Sequence, residues 1–268
     1  MYTAGVLDVL MQNNISFDGV VGVSAGCAFG VNLKSRQMGR ALRYNTKYCN
    51  DPRYTSLKVL LKTGNLYSED FCYGTVPRKL DIFDTHTFSQ NPMRYWAVCT
   101  DVTTGKPVYL ELTDGGDRDM RIIQASASMP LVSNIIDVDN LLLLDGGISD
   151  SIPLRWMQRQ GYDKNLVVLT QVEGYRKKIS HIVTLLCRIF MRKYPAIADA
   201  MARRHDMYNE QLDYTLSEAK KGNIFLLQPP FSTGIARTER NPEKLKEQYK
   251  IGVADAQKHI CDIAKFVN

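Results

Sequence analysis

Ser24 stands between two glycines in Gly22-Val23-Ser24-Ala25-Gly26, and the apolar run Val20-Val21-Gly22-Val23 leads straight into it. A Gly-x-Ser-x-Gly set between a buried strand and a helix is the context in which serine serves as a nucleophile. The serine occupies a strained turn, so its neighbours are expected to be small. The helix that begins at Ala25 would aim its free N–H groups at the same spot. The pattern alone arises by accident in about one chain in ten of this length, at ordinary glycine and serine frequencies. The strand before it and the small-residue helix after it therefore carry the weight. The competing reading is a Gly-rich turn in which Ser24 only caps the helix. A cap does not need glycine on both sides.

A serine nucleophile needs a base, most familiarly a histidine oriented by a carboxylate. The chain has four histidines, His86, His181, His205 and His259. None follows an apolar strand. His205 belongs to the charged run Ala202-Arg203-Arg204-His205-Asp206, and His259 lies in a long C-terminal helical stretch. All four read as structural or surface residues. The alternative is a carboxylate acting directly. Asp145 follows Leu141–Leu144, so it ends a buried strand, and Gly146 and Gly147 after it allow a backbone or a substrate close. An unperturbed aspartate, with a pKa of about 3.9, is a poor base for an alcohol. An apolar site raises such a value and eases the proton transfer. Asp114-Gly115-Gly116 repeats the tripeptide, but Asp117, Arg118 and Asp119 follow it and mark a solvated turn. Taken without Ser24, Asp145-Gly146 would read as a turn closing a hairpin.

These residues need a scaffold. Residues 3–12 read as a helix, Val20–Val23 as a buried strand, and Ala25 to about Arg40 as a helix. Residues 50–92 read as mostly helix and loop. Arg94–Thr100 and Val108–Leu112 read as strands joined at Thr104-Gly105-Lys106, and Met120–Ser128 as a helix stopped at Met129-Pro130. Leu141–Leu144, Asn165–Thr170 and Ile224–Gln228 read as further strands. Ser180–Arg204 reads as helix interrupted near Pro195, and Glu243–Val267 as a terminal helix. Asp137 and Asp139 lack EF-hand spacing and read as a hairpin turn. Strands alternating with helices predict an α/β sheet covered on both faces. No repeat or linker divides the chain. Residues 1–170 are expected to form the core, and 171–268 a helical, basic extension of the same domain.

Composition narrows the function classes. The 268 residues are 44% hydrophobic and 23% charged, ordinary for a globular protein. No apolar run reaches the roughly 18–20 residues needed to span a bilayer. The opening residues Met1–Leu10 carry no basic run ahead of an apolar one, so they are not expected to be a secretory signal. The six cysteines form no Cys-x-x-Cys pair, so buried free thiols in a reducing cytoplasm are expected, and no metal or cofactor. The net charge of +6 favours anionic surfaces without naming a partner, and nothing points to nucleic acid. The glycines around Ser24 do not give Gly-x-Gly-x-x-Gly, which sets aside a dinucleotide site.

Gly22-x-Ser24-x-Gly26 followed by Asp145-Gly146-Gly147, with no usable histidine, resembles the patatin-like phospholipases, in particular their bacterial branch. Tyr2-Thr-Ala-Gly-Val-Leu7, Ala125-Ser-Ala-Ser-Met-Pro130, Asp150-Ser-Ile-Pro153 and Gly174-Tyr-Arg-Lys177 are similar to further stretches of that family. The resemblance covers roughly residues 2–250. It implies a three-layer α/β/α fold with a central, mostly parallel sheet. It also implies a Ser24–Asp145 dyad that hydrolyses phospholipid or other acyl esters through an acyl-enzyme, with no cofactor. Gly22, Ala25 and Gly26 would then form the elbow and lend oxyanion donors. The family also carries a Gly-Gly-Gly-x-Arg-Gly oxyanion segment between its first strand and first helix. The matching helix begins here at Tyr2, so that segment would precede Met1, and a weakly active or inactive form is expected. Loss of one oxyanion donor costs about 10²–10³ in kcat. A soluble esterase or thioesterase, and a protein that keeps the fold but acts by binding, are the other two classes.

Ser180–Arg192 carries Ile182, Val183, Leu185, Leu186, Ile189, Phe190 and Met191, with Arg176, Lys177, Lys178, Arg188, Arg192 and Lys193 among them or beside them. A basic amphipathic helix can lie on an anionic membrane, which would make a cytoplasmic protein peripheral to it. The favoured expectation is the ordinary one, a core-packing helix with snorkelling basic ends.

Overall fold

A computed structural model of the chain describes residues 1–231, 234–236 and 238–267. Helix α1 (Tyr2–Gln12) precedes strand β1 (Gly19–Val23), and α2 (Ala25–Lys34) follows after the single residue Ser24. Then come α3 (Arg40–Tyr48), α4 (Leu57–Thr63), a π-helical segment (Asp70–Leu80) and α5 (Thr85–Gln90). Strands β2 (Arg94–Asp101) and β3 (Pro107–Leu112) lead to α6 (Asp117–Ser126). Strands β4 (Ile136–Val138) and β5 (Leu141–Asp145) end in a 3-10 turn (Gly146–Ile148). Next are α7 (Leu154–Arg159), β6 (Asn165–Val168), α8 (His181–Phe190) and α9 (Pro195–Lys220). Strand β7 (Ile224–Leu227) and α10 (Pro242–Val267) follow.

The helix after Ser24 ends earlier than expected, because Arg36 adopts φ 53 and Gly39 φ 73 before α3 begins. Pro195 opens α9, where a missing N–H breaks no intrahelical bond, and so divides the basic helical stretch in two. Asp139 and Asn140, both at positive φ, make the tight turn between β4 and β5.

The α/β class stands as expected, but the pairing is more mixed than a mostly parallel sheet. β1 runs parallel to β2, and β6 parallel to β7 as a separate pair. β3 and β5 pair antiparallel to β2, and β4 antiparallel to β5. The connections explain this: short turns join β2 to β3 and β4 to β5, and such links permit only antiparallel neighbours. Helices cover both faces. Leu143 belongs to the apolar cluster formed with α2 and α6, and its neighbour Leu144 to the cluster formed with α8 and α9. Alternate strand residues point to opposite faces, so these two leucines mark the two sides of the sheet.

The C-terminal third is bound closely to the first helix. A Cβ on Gly5 would lie 2.2 Å from Tyr249 O, and one on Gly252 2.1 Å from Tyr2 O, so α1 and α10 touch backbone to backbone. Tyr2 Oη donates to Asp255, and Tyr249 Oη to Asp8 at 2.7 Å. Among the described residues, β1 and β6 are each paired along one edge only. Both line a single cavity of about 1020 Å³. Tyr162, just ahead of β6, lies against Gly19 at the start of β1, and both line the cavity. All six cysteines are free thiols; four are buried, Cys72 is half-buried and Cys261 is exposed, so burial is less complete than expected.

Candidate active site

Ser24 adopts φ 54 and ψ −122. A non-glycine residue in that region is strained, and the surrounding structure must hold it there. The strain follows from the reversal of direction, since β1 ends at Val23 and α2 begins at Ala25. Gly22 makes the turn feasible: a Cβ there would lie 2.5 Å from Cys27 Cα. Gly26 differs from expectation. A Cβ at Gly26 would meet nothing within 4 Å, so open space rather than backbone crowding surrounds it. Ser24 holds the N-cap position of α2, yet its side chain makes no capping bond. Its Oγ instead donates to Asp145 Oδ2 at 2.6 Å. Its backbone N–H donates to Ser126 Oγ at 3.0 Å, and Ser126 Oγ donates to Val98 O at 2.7 Å.

Asp145 reaches this point through the sheet. Strand β3 covers one edge of β2 from Tyr95 to Thr100. β1 and β5 therefore share the other edge, running toward each other. Val23 pairs with Val98 and Asp145 with the adjacent Cys99, so two strand ends meet head-on. Asp145 is 2% exposed. Its N–H donates to Ser128 O at 2.8 Å, and its carbonyl accepts from Thr100 Oγ1 at 2.8 Å. Its Oδ1 accepts from Gly147 N–H at 2.7 Å, leaving Oδ2 turned to Ser24. Gly146 is obligatory for the approach, since a Cβ there would lie 2.2 Å from Val98 O. From α9, Arg204 Nε donates to Gly147 O at 2.6 Å. A guanidinium thus anchors the loop that carries Asp145.

Ser24, Asp145, Ala25, Gly26 and Gly147 all line the large cavity, with Phe29, Met129 and Leu166 among its apolar walls. The first intrahelical bond at this end of α2 is Ala28 N–H to Ser24 O at 3.1 Å. The N–H groups of Ala25 and Gly26 precede it and have no acceptor within the helix. Among the described residues, no histidine lines the cavity. Nor does any group of three or more His, Cys, Asp or Glu stand ready for a metal ion. Burial pushes the Cys27 thiol up to about 12, which makes it a poor nucleophile. Asp150 is also buried, and burial raises its pKa against the pull of hydrogen bonds from Tyr109 and Gln211. Its oxygens are held by those two side chains. Asp114 is exposed, and the N–H groups of Thr113, Asp114 and Gly115 converge on buried Asp119 at 2.7–2.9 Å. That tripeptide is a turn, but not the solvated one expected: Gly115 is buried, and so is Asp119, whose carboxylate gathers the turn's N–H groups.

The sequence left three contributors without a role: Ser126, Thr100 and Arg204. Ser126 lies in Ala125-Ser-Ala-Ser-Met-Pro130, whose small residues hint at close packing. Thr100 and Arg204 give no local signal, because each meets the site only through tertiary contact.

Residues 1–156 match the family described as patatin-like phospholipase. Residues 194–268 match a family described only as a domain of unknown function, DUF6363. The uncharacterized protein YjjU of Escherichia coli (strain K12) is 24% identical over 274 residues, an alignment covering 100% of this chain and 75% of that protein. The family match spans more than half of the chain: it belongs to the patatin-like phospholipase family.

Proposed function

We propose that this member of the patatin-like phospholipase family is a serine lipid acyl hydrolase in which Ser24 is the nucleophile and Asp145 its general base. One observation carries the reading: a serine in a strained turn donates a hydroxyl hydrogen bond to a buried carboxylate at 2.6 Å instead of capping its helix. Ser24 Oγ attacks the ester carbonyl carbon as its proton passes to Asp145 Oδ2. The tetrahedral oxyanion falls within reach of the Ala25 and Gly26 N–H groups at the positive end of α2. The carbon–oxygen bond to the alcohol then breaks, and Asp145 returns the proton to the departing alkoxide. An acyl-serine remains. Water attacks it, Asp145 takes the water proton, and the fatty acid leaves as Ser24 Oγ recovers a proton.

The other groups support this pair. Gly147 N–H fixes one carboxylate oxygen and so directs the other at Ser24. Ser126 ties the elbow to β2. A cavity of about 1020 Å³ with apolar walls accommodates an acyl chain, which favours lipid esters over short soluble ones. The test is the intact mass of the protein after incubation with a fluorophosphonate. One adduct, lost in Ser24→Ala, is expected. No adduct on a folded chain would overturn the reading in favour of a protein that acts by binding. A steep preference for short acyl chains would overturn the lipid assignment and leave the esterase chemistry.

A further inference from the structure

Helix α8 turns apolar side chains outward. Ile182 is 74% exposed, Leu185 57%, Ile189 55% and Phe190 71%, whereas Cys187 is its one buried residue. This corrects the expectation of an ordinary core-packing helix. The helix has two apolar faces. Val183 and Cys187 pack on Ile197 and Ala198, and the row Ile182–Leu185–Ile189 faces solvent. A soluble surface rarely carries such a row without using it.

The row sits in a basic frame. From Gly174 to Tyr194 the chain has six Lys or Arg residues and no Asp or Glu. Lys178, Arg188, Arg192 and Lys193 are exposed. Helix α4 repeats the arrangement on a smaller scale, with Leu57 73% and Leu61 88% exposed beside Lys58 and Lys62. Residues 131–135 connect the two helices. Leu131 and Ile135 pack against the apolar cluster that includes Cys187 of α8. Asn134 Nδ2 donates to Thr63 O at 2.8 Å at the end of α4, and Leu66 N–H donates to Val132 O at 2.8 Å. Ser133 of the same segment lines the cavity that holds Ser24.

We infer that α8, together with α4, is the surface by which this protein lies on an anionic phospholipid membrane. The biological purpose rests on the hydrolase reading above; the docking itself does not. The apolar row would enter the boundary between headgroups and acyl chains, and the lysines and arginines around it would meet lipid phosphates. Charge selects the occupant. A two-fold contact with a second copy would cover the row but set one basic frame against another. An anionic lipid surface satisfies the row and the frame together.

The experiment is co-sedimentation of the full chain with vesicles of phosphatidylcholine alone or mixed with phosphatidylglycerol. Wild type and Ser24→Ala are expected to bind the anionic vesicles equally, and less as salt is raised. The pairs Ile182→Ser/Phe190→Ser and Arg188→Glu/Arg192→Glu are each expected to weaken binding about tenfold or more. Both pairs should keep the wild-type rate on a soluble short-chain ester and lose activity on vesicles. Undiminished vesicle binding by both pairs, or no binding by wild type, would overturn the proposal. So would a dimer that Ile182→Ser/Phe190→Ser converts to a monomer. Wild type that binds vesicles yet cleaves no ester leaves the surface standing and removes the hydrolase. Wild type that cleaves the soluble ester yet ignores vesicles does the reverse.

Discussion

Val23 and Asp145 pair with the adjacent residues Val98 and Cys99 on one edge of β2, approaching from opposite directions. The collision of two strand ends puts the Ser24 hydroxyl 2.6 Å from a carboxylate fixed by its own strand. Neither group depends on a long loop for its position. That arrangement yields predictions for each part of the site.

Ser24→Ala and Ser24→Gly both remove the hydroxyl, so each should lower ester hydrolysis at least about a thousandfold. They should differ in stability. Only glycine relieves the backbone at φ 54. Ser24→Gly should therefore be more stable than Ser24→Ala by about 1 kcal/mol in urea unfolding. Equal midpoints would show that the turn stores no strain.

Asp145→Asn keeps an acceptor for Gly147 N–H but cannot take a proton from Ser24. Steady-state hydrolysis should fall by about three orders of magnitude or more, with KM little changed. Fluorophosphonate labelling of Ser24 should slow in parallel. Labelling at the wild-type rate would assign the base elsewhere.

The motif glycines should separate cleanly. Gly146→Ala forces a Cβ to 2.2 Å from Val98 O, a backbone atom that cannot swing aside. A loss of about 3 kcal/mol or more is expected, above the usual overpacking cost. Gly26→Ala meets open space and sits in a helix, so stability should hold or rise by about 0.5–1 kcal/mol. Its added methyl narrows the cavity, and KM for long-chain esters should rise.

Arg204 holds the carbonyl of Gly147 and also lines the cavity. Arg204→Ala should lower kcat about tenfold while KM stays within a factor of two or so, the pattern expected when a reacting group is displaced by a fraction of an ångström. Arg204→Lys, with a point charge in place of a planar fork, should recover only part of the rate. Full activity in Arg204→Ala would reduce the contact to packing.

Asp8 carries the pH prediction. Burial raises its pKa above the ordinary 3.8, outweighing the hydrogen bonds from Tyr249 and Gly39 and the nearby charge of Arg43. A carboxyl raised on folding stabilises the protonated fold; that contribution is complete below the unfolded pKa and disappears as pH rises through the folded one. Once the pH has risen past that raised value, Asp8 is therefore a burden. Asp8→Asn keeps an acceptor for Tyr249 and Gly39, so it should raise stability there, with the gain shrinking as pH falls toward 4. A gain independent of pH would point to packing instead.

The parts of this site that lie in one stretch of chain were legible in the sequence. Val20–Val23 announces the strand, the small residues after Ser24 announce the helix, and four leucines ahead of Asp145 announce the second strand. What joins them was not legible. Periodicity gives a strand's burial but not its direction, so the head-on meeting on β2 and the mixed pairing stayed hidden. Ser126 and Arg204 reach the elbow and the Asp145 loop only after folding. Gly26 looked like Gly22 in the motif, yet only Gly22 is crowded. Helix α8 failed for a related reason. Its apolar residues circle more than half of the helix, and composition cannot say which arc the core will take.

The single-sided pairing of β1 has a consequence for amide exchange. Asp18 O accepts from Arg94 N–H at 2.9 Å, which sets the phase of the strand. Residues 20 and 22 then direct their amides at β2, whereas Val21 and Val23 direct theirs into the cavity. Deuterium should enter Val21 and Val23 quickly while Val20 and Gly22 stay protected, an alternation along one strand that a fully paired sheet would not give. A bound acyl chain that dries the cavity should slow the fast pair and leave the slow pair unchanged. The exchange of two amides next to Ser24 therefore registers occupancy of the site directly, with no need for turnover.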